Sequence, residues 1–194
     1  PVQAPIEESV SRIARSWSWP HRQWDLGLIR IGPCASQVVD RSGRDPAAIH
    51  AARQHLADVL ADLSTPTGRR VAAGAVLDRC PGSLDGAVLA AGLGPTPGAE
   101  RLITEVNYFG VVDLLQAWRP MFAAAERAKV VVFSSNSTTT VPAVPGRAIR
   151  ALLAGDADKA LKAYRVFGRF APPMAYAASK IAVSRWVRRH AVTP

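Results

Sequence analysis

The segment Met174-Ala-Tyr-Ala-Ala-Ser-Lys180 begins an Ala-rich, apolar stretch that ends at His190. Residues four apart share one face of a helix, so the phenol of Tyr176 and the ammonium of Lys180 are predicted to lie side by side. A free phenol loses its proton near pH ~10, and a neighbouring cation favours the ionised form. The pair therefore predicts a group that exchanges a proton with an alcohol or carbonyl oxygen. The same spacing also fits a surface lysine beside a half-buried tyrosine, so the interpretation depends on the residues upstream.

The composition indicates one globular domain. A chain of 194 residues can bury a hydrophobic core, and 48% of its residues are hydrophobic. No apolar run is long enough to cross a bilayer, so no membrane association is predicted. The net charge is +9, but only four of the 24 cations are lysine, and the arginines are scattered without a dense basic run. We therefore expect no nucleic-acid partner.

The two cysteines, Cys34 and Cys80, are far apart and have no CxxC partner. Isolated cysteines are typical of an intracellular protein with reduced thiols, and the first thirty residues lack the pattern of a signal peptide. A cytoplasmic location is therefore predicted. The four histidines have no cysteine or carboxylate neighbours at metal-ligand spacing, so no metal site is expected.

Strands and helices are predicted to alternate along most of the chain. Apolar runs predict strands at 26–31, 37–40, 84–90 and 129–133, the last of them central and parallel. Alternating residues at 58–62 also fit a strand, although helix propensity from residue 46 competes with it. Capping residues and helical spacing predict helices at 7–15, from 45, at 64–80, at 100–126, at 147–165 and around Tyr176. Pro120 is expected to bend or break the helix at 100–126. This alternation predicts an α/β fold with a doubly wound parallel sheet and helices on both faces.

Ligands of such sheets bind at the carboxyl ends of the strands, and three candidate features lie there. Asp62 ends one predicted strand, the Ala91-Gly92 turn follows another, and Ser135 follows the strand at 129–133. The glycine leaves room for a cofactor, and the serine hydroxyl can bind a substrate oxygen. Each has a structural alternative, namely a tight turn for the glycine and strand-end capping for the serine. The structural alternative for Asn107, on a largely apolar helix, is buried hydrogen bonding.

Six segments carry a joint pattern: Ala61-Asp-Leu-Ser-Thr65, Leu84-Asp-Gly86, Leu89-Ala-Ala-Gly-Leu-Gly-Pro95, Val106-Asn-Tyr-Phe-Gly110, Val131-Val-Phe-Ser-Ser135 and Tyr176-Ala-Ala-Ser-Lys180. This pattern resembles the short-chain dehydrogenase/reductase family, and within it the bacterial 3α-hydroxysteroid dehydrogenase/carbonyl reductase group. The 41-residue separation between Ser135 and Tyr176 also matches that group, which carries a long insertion there. The resemblance covers about residues 57–194 and implies a partial Rossmann-type sheet.

The resemblance implies a nicotinamide cofactor, NAD or NADP with NAD favoured, and a small alcohol or ketone substrate such as a hydroxysteroid. Tyr176 would donate or accept the proton, and Lys180 would support it while holding the nicotinamide ribose. Ser135 would polarise the carbonyl, and Asn107 would hold a water in a proton relay. Besides Tyr176 and Lys180, the implied cofactor contacts are Asp62 and Leu63 at the adenine, and Ala90, Ala91 and Gly92 in the turn beside the cofactor. A homo-oligomer is left open.

Two parts of the chain depart from the family. The family opens with a TGxxxGxG turn that receives the pyrophosphate at a helix start, and no such motif occurs here. Asp40 lies 22 residues before Asp62, too far to take the role of the family's ribose-binding acid. Residues 1–56 therefore read as an unmatched, irregular segment joined to a dehydrogenase body at 57–194, which is expected to lack the family's last strands. The alternative function is a catalytically dead, truncated or frameshifted remnant, or a non-catalytic interaction domain, with weak or absent cofactor binding.

Overall fold

The computed structural model describes residues 27–31, 36–40 and 59–191, which form a five-stranded sheet with helices packed against it. The helices predicted at 7–15 and from 45, and also Cys34, lie outside the described residues. The strands are β1 (Gly27–Ile31), β2 (Ser36–Asp40), β3 (Val59–Ala61), β4 (Gly86–Leu89) and β5 (Lys129–Val132), in the order β3-β2-β1-β4-β5. All five predicted strands are confirmed, as is the α/β class. The division of the chain at residue 56 stays a prediction.

Four strands run in one direction and β1 runs in the other. β2 pairs with β3, and β4 with β5, in parallel, so the carboxyl ends of these four strands share one edge of the sheet. β1 is antiparallel to both β2 and β4. The predicted parallel sheet thus contains one antiparallel strand, β1. Only four residues separate β1 from β2, and a parallel connection needs a crossover of about a dozen residues or more, so the pair is restricted to an antiparallel arrangement.

β5 is parallel to its neighbour, as predicted, but it is not central. It pairs with β4 and is the outermost strand on one side of the described sheet. Val130 is 41% exposed and Phe133, directly after the strand, is 50% exposed. The apolar run suggested burial on both sides, but no strand among the described residues covers the outer side of β5.

Helix α1 (Pro66–Arg79) begins where the sequence predicts it. The hydroxyl of Thr65 accepts a hydrogen bond from the backbone N–H of Gly68 at 3.0 Å, and Pro66 occupies the first helical position. One face of the helix is buried, and it carries Arg69 together with Ala72, Ala73 and Val76. The cap and the apolar spacing are local signals, which is why this element could be predicted closely.

The helix predicted at 100–126 changes its geometry around Asn107. It consists of α2 (Glu100–Thr104), a π-helical turn (Glu105–Phe109) and α3 (Gly110–Ala124). A π-helical turn inserts an extra residue into the helix and re-aims the side chains that it carries. Asn107 lies in the middle of this turn and is fully buried.

Pro120 lies inside α3, and the helix continues beyond it to Ala124. The helix is therefore not broken at Pro120, and the alternative that Pro120 bends it stays a prediction. Proline removes the hydrogen bond to the carbonyl four residues earlier, which belongs to Gln116. Both residues lie on the exposed face of α3, where water can replace that bond. On the opposite face the indole N–H of Trp118 donates to the Ala73 carbonyl at 3.2 Å and joins α3 to α1.

The predicted amphipathic segment at 147–165 forms two helices, after the short helix α4 (Ser137–Thr140). These are α5 (Gly146–Leu153) and α6 (Ala157–Arg165). Gly155, with a φ of 78°, makes the turn between them, and the Asp156 carboxylate caps α6 by accepting from the Lys159 N–H at 2.8 Å. Both helices pack on the last helix, α7 (Ala171–His190), which follows a short 3₁₀ turn (Gly168–Phe170). Two prolines occupy the first turn of α7, where they do not interrupt its hydrogen bonds.

Candidate active site

Lys180 lies on α7 with 6% of its surface exposed. Its ammonium donates a hydrogen bond to the carbonyl oxygen of Phe133 at 3.0 Å, directly after β5. Burial disfavours the charged form and lowers the pKa of Lys180 from 10.5 to about 8. A buried, weakly basic amine at the carboxyl end of a strand is unusual on a surface helix, and such groups concentrate at functional sites.

Tyr176 lies one helical turn before Lys180 and is half-buried. The Lys180 nitrogen is 6.0 Å from the centre of the Tyr176 ring. The two side chains therefore share one face of α7, as their spacing predicts. Small residues around them, including Ala175, Ala177 and Ala178, are fully buried and let the helix lie close to its neighbours.

Asn107 connects the π-helical turn to the loop after β4. Its side-chain oxygen accepts from the Leu93 N–H at 2.7 Å, and its side-chain N–H donates to the Leu93 carbonyl at 2.9 Å. A Cβ at Gly92 would lie 3.4 Å from the Asn107 oxygen and 3.6 Å from the Lys180 nitrogen. Gly92, Asn107 and Lys180 therefore form one cluster at the end of β4. The buried hydrogen bonding that was the structural alternative for Asn107 is present.

Ser135 follows β5 and is half-buried. Its hydroxyl oxygen accepts from the Ser137 N–H at 3.2 Å, so it caps the start of α4. This is the strand-end capping that was its structural alternative. The preceding residue ties the strand end to α7, because the hydroxyls of Ser134 and Ser184 are 2.8 Å apart and Ser184 also donates to the Lys180 carbonyl. Sequence analysis did not identify this connection.

Asp62 and Leu63 form the turn after β3. Oδ1 of Asp62 accepts from the Ser64 N–H at 3.0 Å and from the Ser64 hydroxyl at 2.5 Å. Leu63 is fully buried, so the whole residue belongs to the core, and its carbonyl oxygen accepts from Arg69 Nη1 at 2.9 Å. The Asp62 carboxylate is half-buried at the sheet edge that also carries the ends of β4 and β5.

The Ala90-Ala91-Gly92 turn leaves β4 at the same edge. Ala90 is half-buried, whereas Ala91 is 5% exposed and its methyl group packs in the core. The next glycine, Gly94, has no atom within 4 Å of the position that a Cβ would take. The backbone of this turn is thus open to a ligand at Gly94, whereas Gly92 lies against Asn107 and Lys180.

An ion-pair cluster near the Asp62 turn was missed by sequence analysis. The buried guanidinium of Arg69 contacts Asp113 and Glu105, which lie 44 and 36 residues away in the chain. One signal was available, since Arg69 precedes Ala72, Ala73 and Val76 at helical spacing and therefore lies on the buried face of α1. The identity of its partners could not be read from the sequence.

The described residues fit the nicotinamide ribose and the adenine of a dinucleotide better than they fit its pyrophosphate. A glycine backbone, a buried amine and a phenol come together at Gly92, Asn107, Tyr176 and Lys180, and hydrogen-bonding groups of this kind fit a nicotinamide ribose. The Asp62 turn offers a carboxylate at the same edge. For the pyrophosphate, the family uses a glycine turn after its first strand, but here the carboxyl end of β1 lies at the opposite edge of the sheet. The described part of the chain thus shows no pyrophosphate turn after β1.

In the ranges that the structure describes, no three side chains among His, Cys, Asp and Glu come together as metal ligands. None of the helices in those ranges has the length and hydropathy that a bilayer span needs.

Comparison with known proteins finds two close relatives. The chain is 34% identical over 161 residues to the 3-alpha-hydroxysteroid dehydrogenase/carbonyl reductase of Comamonas testosteroni, covering 83% of this chain and 62% of that protein. Its fold is similar to a crystal structure of the 3-alpha-hydroxysteroid dehydrogenase from Pseudomonas sp. B-0831 complexed with NADH. That match has a TM-score of 0.64 and 38% identity, and it covers 74% of this chain and 59% of the other. No family model matches the chain.

The chain is similar to members of the short-chain dehydrogenase/reductase family, and its fold is a partial Rossmann-type α/β sheet. Within the family it is similar to the 3-alpha-hydroxysteroid dehydrogenase/carbonyl reductase group, as the six segments predict. The chain spans about three fifths of the length of both relatives.

Proposed function

We propose that this chain carries the catalytic core of an oxidoreductase that interconverts an alcohol and a carbonyl with a nicotinamide cofactor. The observation that supports this most is the buried Lys180 amine, which lies beside the Tyr176 phenol and next to the Gly92 turn. Similarity to two hydroxysteroid dehydrogenases favours a hydroxysteroid or another hydrophobic ketone as substrate. NAD is favoured over NADP because the Pseudomonas relative was crystallised with NADH.

The four proposed catalytic residues have different roles in this reaction. Tyr176 gives its hydroxyl proton to the carbonyl oxygen during reduction and takes a proton from the alcohol during oxidation. Lys180 favours the ionised phenol and holds the nicotinamide ribose. Ser135 donates to the substrate oxygen as negative charge develops there, and Asn107 holds a water that connects Lys180 to solvent.

When bound, the nicotinamide supplies or accepts the hydride. The chain's own contribution is to hold it in place. The residues that would do so are Asp62 and Leu63 at the adenine, Ala90, Ala91 and Gly92 along the turn after β4, and Tyr176 with Lys180 at the nicotinamide ribose.

Replacing the phenol tests this proposal. Tyr176→Phe removes the group that exchanges the proton, so kcat should fall by roughly a thousandfold, while NADH binding weakens by less than about tenfold, the effect of losing one hydrogen bond to the ribose. Tyr164→Phe is the matched control, because the buried Tyr164 hydroxyl lies beside Thr104 and has no role in the proposed reaction. Rates with steroid alcohols and with simple ketones, measured with NADH and NADPH, would identify the substrate class. Equal rates for wild type and Tyr176→Phe would refute the assignment.

A second candidate function is a non-catalytic interaction domain. The reversed direction of β1 favours it, because among the described residues the carboxyl end of this strand lies at the opposite edge of the sheet from Asp62 and Gly92. A fluorescence titration with NADH separates the two candidates. Saturable binding supports the oxidoreductase, and the absence of binding at millimolar NADH supports the interaction domain. A cytoplasmic location, the absence of a nucleic-acid partner and the oligomeric state stay predictions for fractionation, DNA-retention and sedimentation experiments.

A further inference from the structure

Arg69 is a charged residue that the proposed mechanism does not use. It lies on α1 and is 5% exposed. A buried guanidinium lowers stability unless opposite charges and hydrogen bonds compensate for its lost hydration. Here Nε donates to the Asp113 carboxylate at 2.6 Å, and Nη1 donates to the Glu105 carboxylate at 3.1 Å. The same Nη1 also donates to the carbonyl oxygen of Leu63 at 2.9 Å.

The two carboxylates fix the direction of the guanidinium. Asp113 lies on α3 and Glu105 lies in the π-helical turn, so the planar fork is held from two separate elements. The ring of Phe109 lies 5.7 Å from the guanidinium carbon and packs on the same group. Glu105 is in turn 3.7 Å from the exposed side chain of Arg101. The guanidinium can therefore turn only if several contacts break together.

The contact with Leu63 carries this rigidity into the turn after β3. A peptide unit is planar, so the Leu63 carbonyl and the Ser64 N–H move as one body. The Ser64 N–H donates to Oδ1 of Asp62 at 3.0 Å. Because Arg69 holds the Leu63 carbonyl, it also holds the Ser64 N–H of the same peptide unit. The hydrogen bond from this N–H then holds the Asp62 carboxylate in place. Both hydrogen bonds to this carboxylate from the described residues fall on Oδ1, which leaves Oδ2 for a ligand.

We infer that Arg69 is a positioning residue for the adenine half of the cofactor, acting through the Leu63–Ser64 peptide to aim the Asp62 carboxylate. This inference rests on the proposed function, because it needs a dinucleotide at this edge of the sheet. Arg69 itself does not contact the ligand. If Arg69 were purely structural, its loss would weaken the binding of both halves of the cofactor. As a positioning residue, its loss should weaken the binding of the adenine half selectively.

The test uses two halves of the cofactor as separate probes. Adenosine monophosphate (AMP) reports on the Asp62 turn, and nicotinamide mononucleotide (NMN) reports on the Tyr176–Lys180 end. In Arg69→Lys the ammonium cannot reach both carboxylates and the Leu63 carbonyl at once. The Kd for AMP, measured by titration calorimetry or ligand-observed NMR, should rise roughly tenfold, the effect expected from losing one charge-assisted hydrogen bond. The Kd for NMN should stay within about twofold, since its contacts lie on α7 and the turn after β4.

Arg101→Gln is the matched control. It removes a cation from the solvent side of the same Glu105 carboxylate without touching the Leu63 carbonyl, so it should change neither Kd. If Arg69→Lys does not fold, Asp113→Asn keeps the guanidinium but weakens one anchor, and a smaller selective loss of AMP binding is expected. Equal weakening of both probes, or unchanged AMP binding, overturns the inference and leaves the proposed function standing. A wild-type chain that binds neither probe overturns both.

Discussion

Lys180 shows at the scale of one residue how this fold changes the chemistry of a side chain. Its neighbours include the Phe133 carbonyl and the Tyr176 ring, and no carboxylate among the described residues forms a hydrogen bond with it. Desolvation is therefore the cause of its lowered pKa. An amine whose pKa is about 8 is partly neutral in mildly alkaline solution, where alcohol oxidation releases a proton.

The lowered pKa of Lys180 predicts a pH dependence of stability. The folded group titrates at about 8 and its ordinary value is 10.5, so between these values the unfolded chain binds more protons than the folded chain. Below pH 8 the buried charge reduces stability, and this reduction is relieved as the pH rises to 10.5. The free energy of unfolding of wild type, minus that of Lys180→Met, should therefore increase by up to roughly 3 kcal/mol across this interval. Urea denaturation at several pH values measures it, and a constant difference would contradict the prediction.

At the scale of single elements, α1 contains two glycines whose surroundings differ. A Cβ at Gly68 would overlap the Asp62 carbonyl oxygen and lie 2.7 Å from the Asp62 carbonyl carbon. Gly74, on the same helix, has no atom within 4 Å of the corresponding position. The start of the helix can therefore approach the Asp62 turn only because residue 68 lacks a side chain.

This contrast predicts opposite effects of one methyl group. Gly68→Ala should lower the free energy of unfolding by about 3 kcal/mol, because backbone atoms cannot move aside as a flexible side chain would. Gly74→Ala should raise it by about 0.5–1 kcal/mol, since alanine favours the helix and nothing obstructs it. Thermal or chemical unfolding of the two variants measures both changes. Destabilisation by Gly74→Ala, or a neutral Gly68→Ala, would show that α1 packs differently.

Sequence analysis predicted those elements whose signals are local. The cap at Thr65 predicted α1, and the spacing of Tyr176 and Lys180 predicted their shared face on α7. The contacts that complete the site join residues far apart in the chain, such as Lys180 with Phe133, 47 residues apart. Hydropathy and spacing within one element carry no information about such partners. The reversal of β1 follows from the length of its connection to β2, which limits the direction of a strand even when its composition does not.

At the scale of the whole molecule, charged side chains connect helices that are distant in sequence. From Asp113 on α3 the contacts run through Arg69 on α1 and Glu105 in the π-helical turn, and then through Arg101 to Asp158 on α6. Arg69 and Glu105 are 5% and 14% exposed, whereas Asp113, Arg101 and Asp158 are 39%, 60% and 73% exposed. Salt should weaken the outer contacts and leave the inner ones intact.

The position of β5 as the outermost strand of the described sheet has a consequence for solubility. Its backbone groups can pair with a strand of another molecule, and the run from Val130 to Phe133 is apolar. Lys129 begins this run, and its charge acts as a gatekeeper against self-association. Lys129→Val should therefore aggregate at protein concentrations where wild type and Lys129→Arg stay clear, as followed by light scattering. One positive charge at the start of β5 thus raises the concentration up to which the protein remains dispersed.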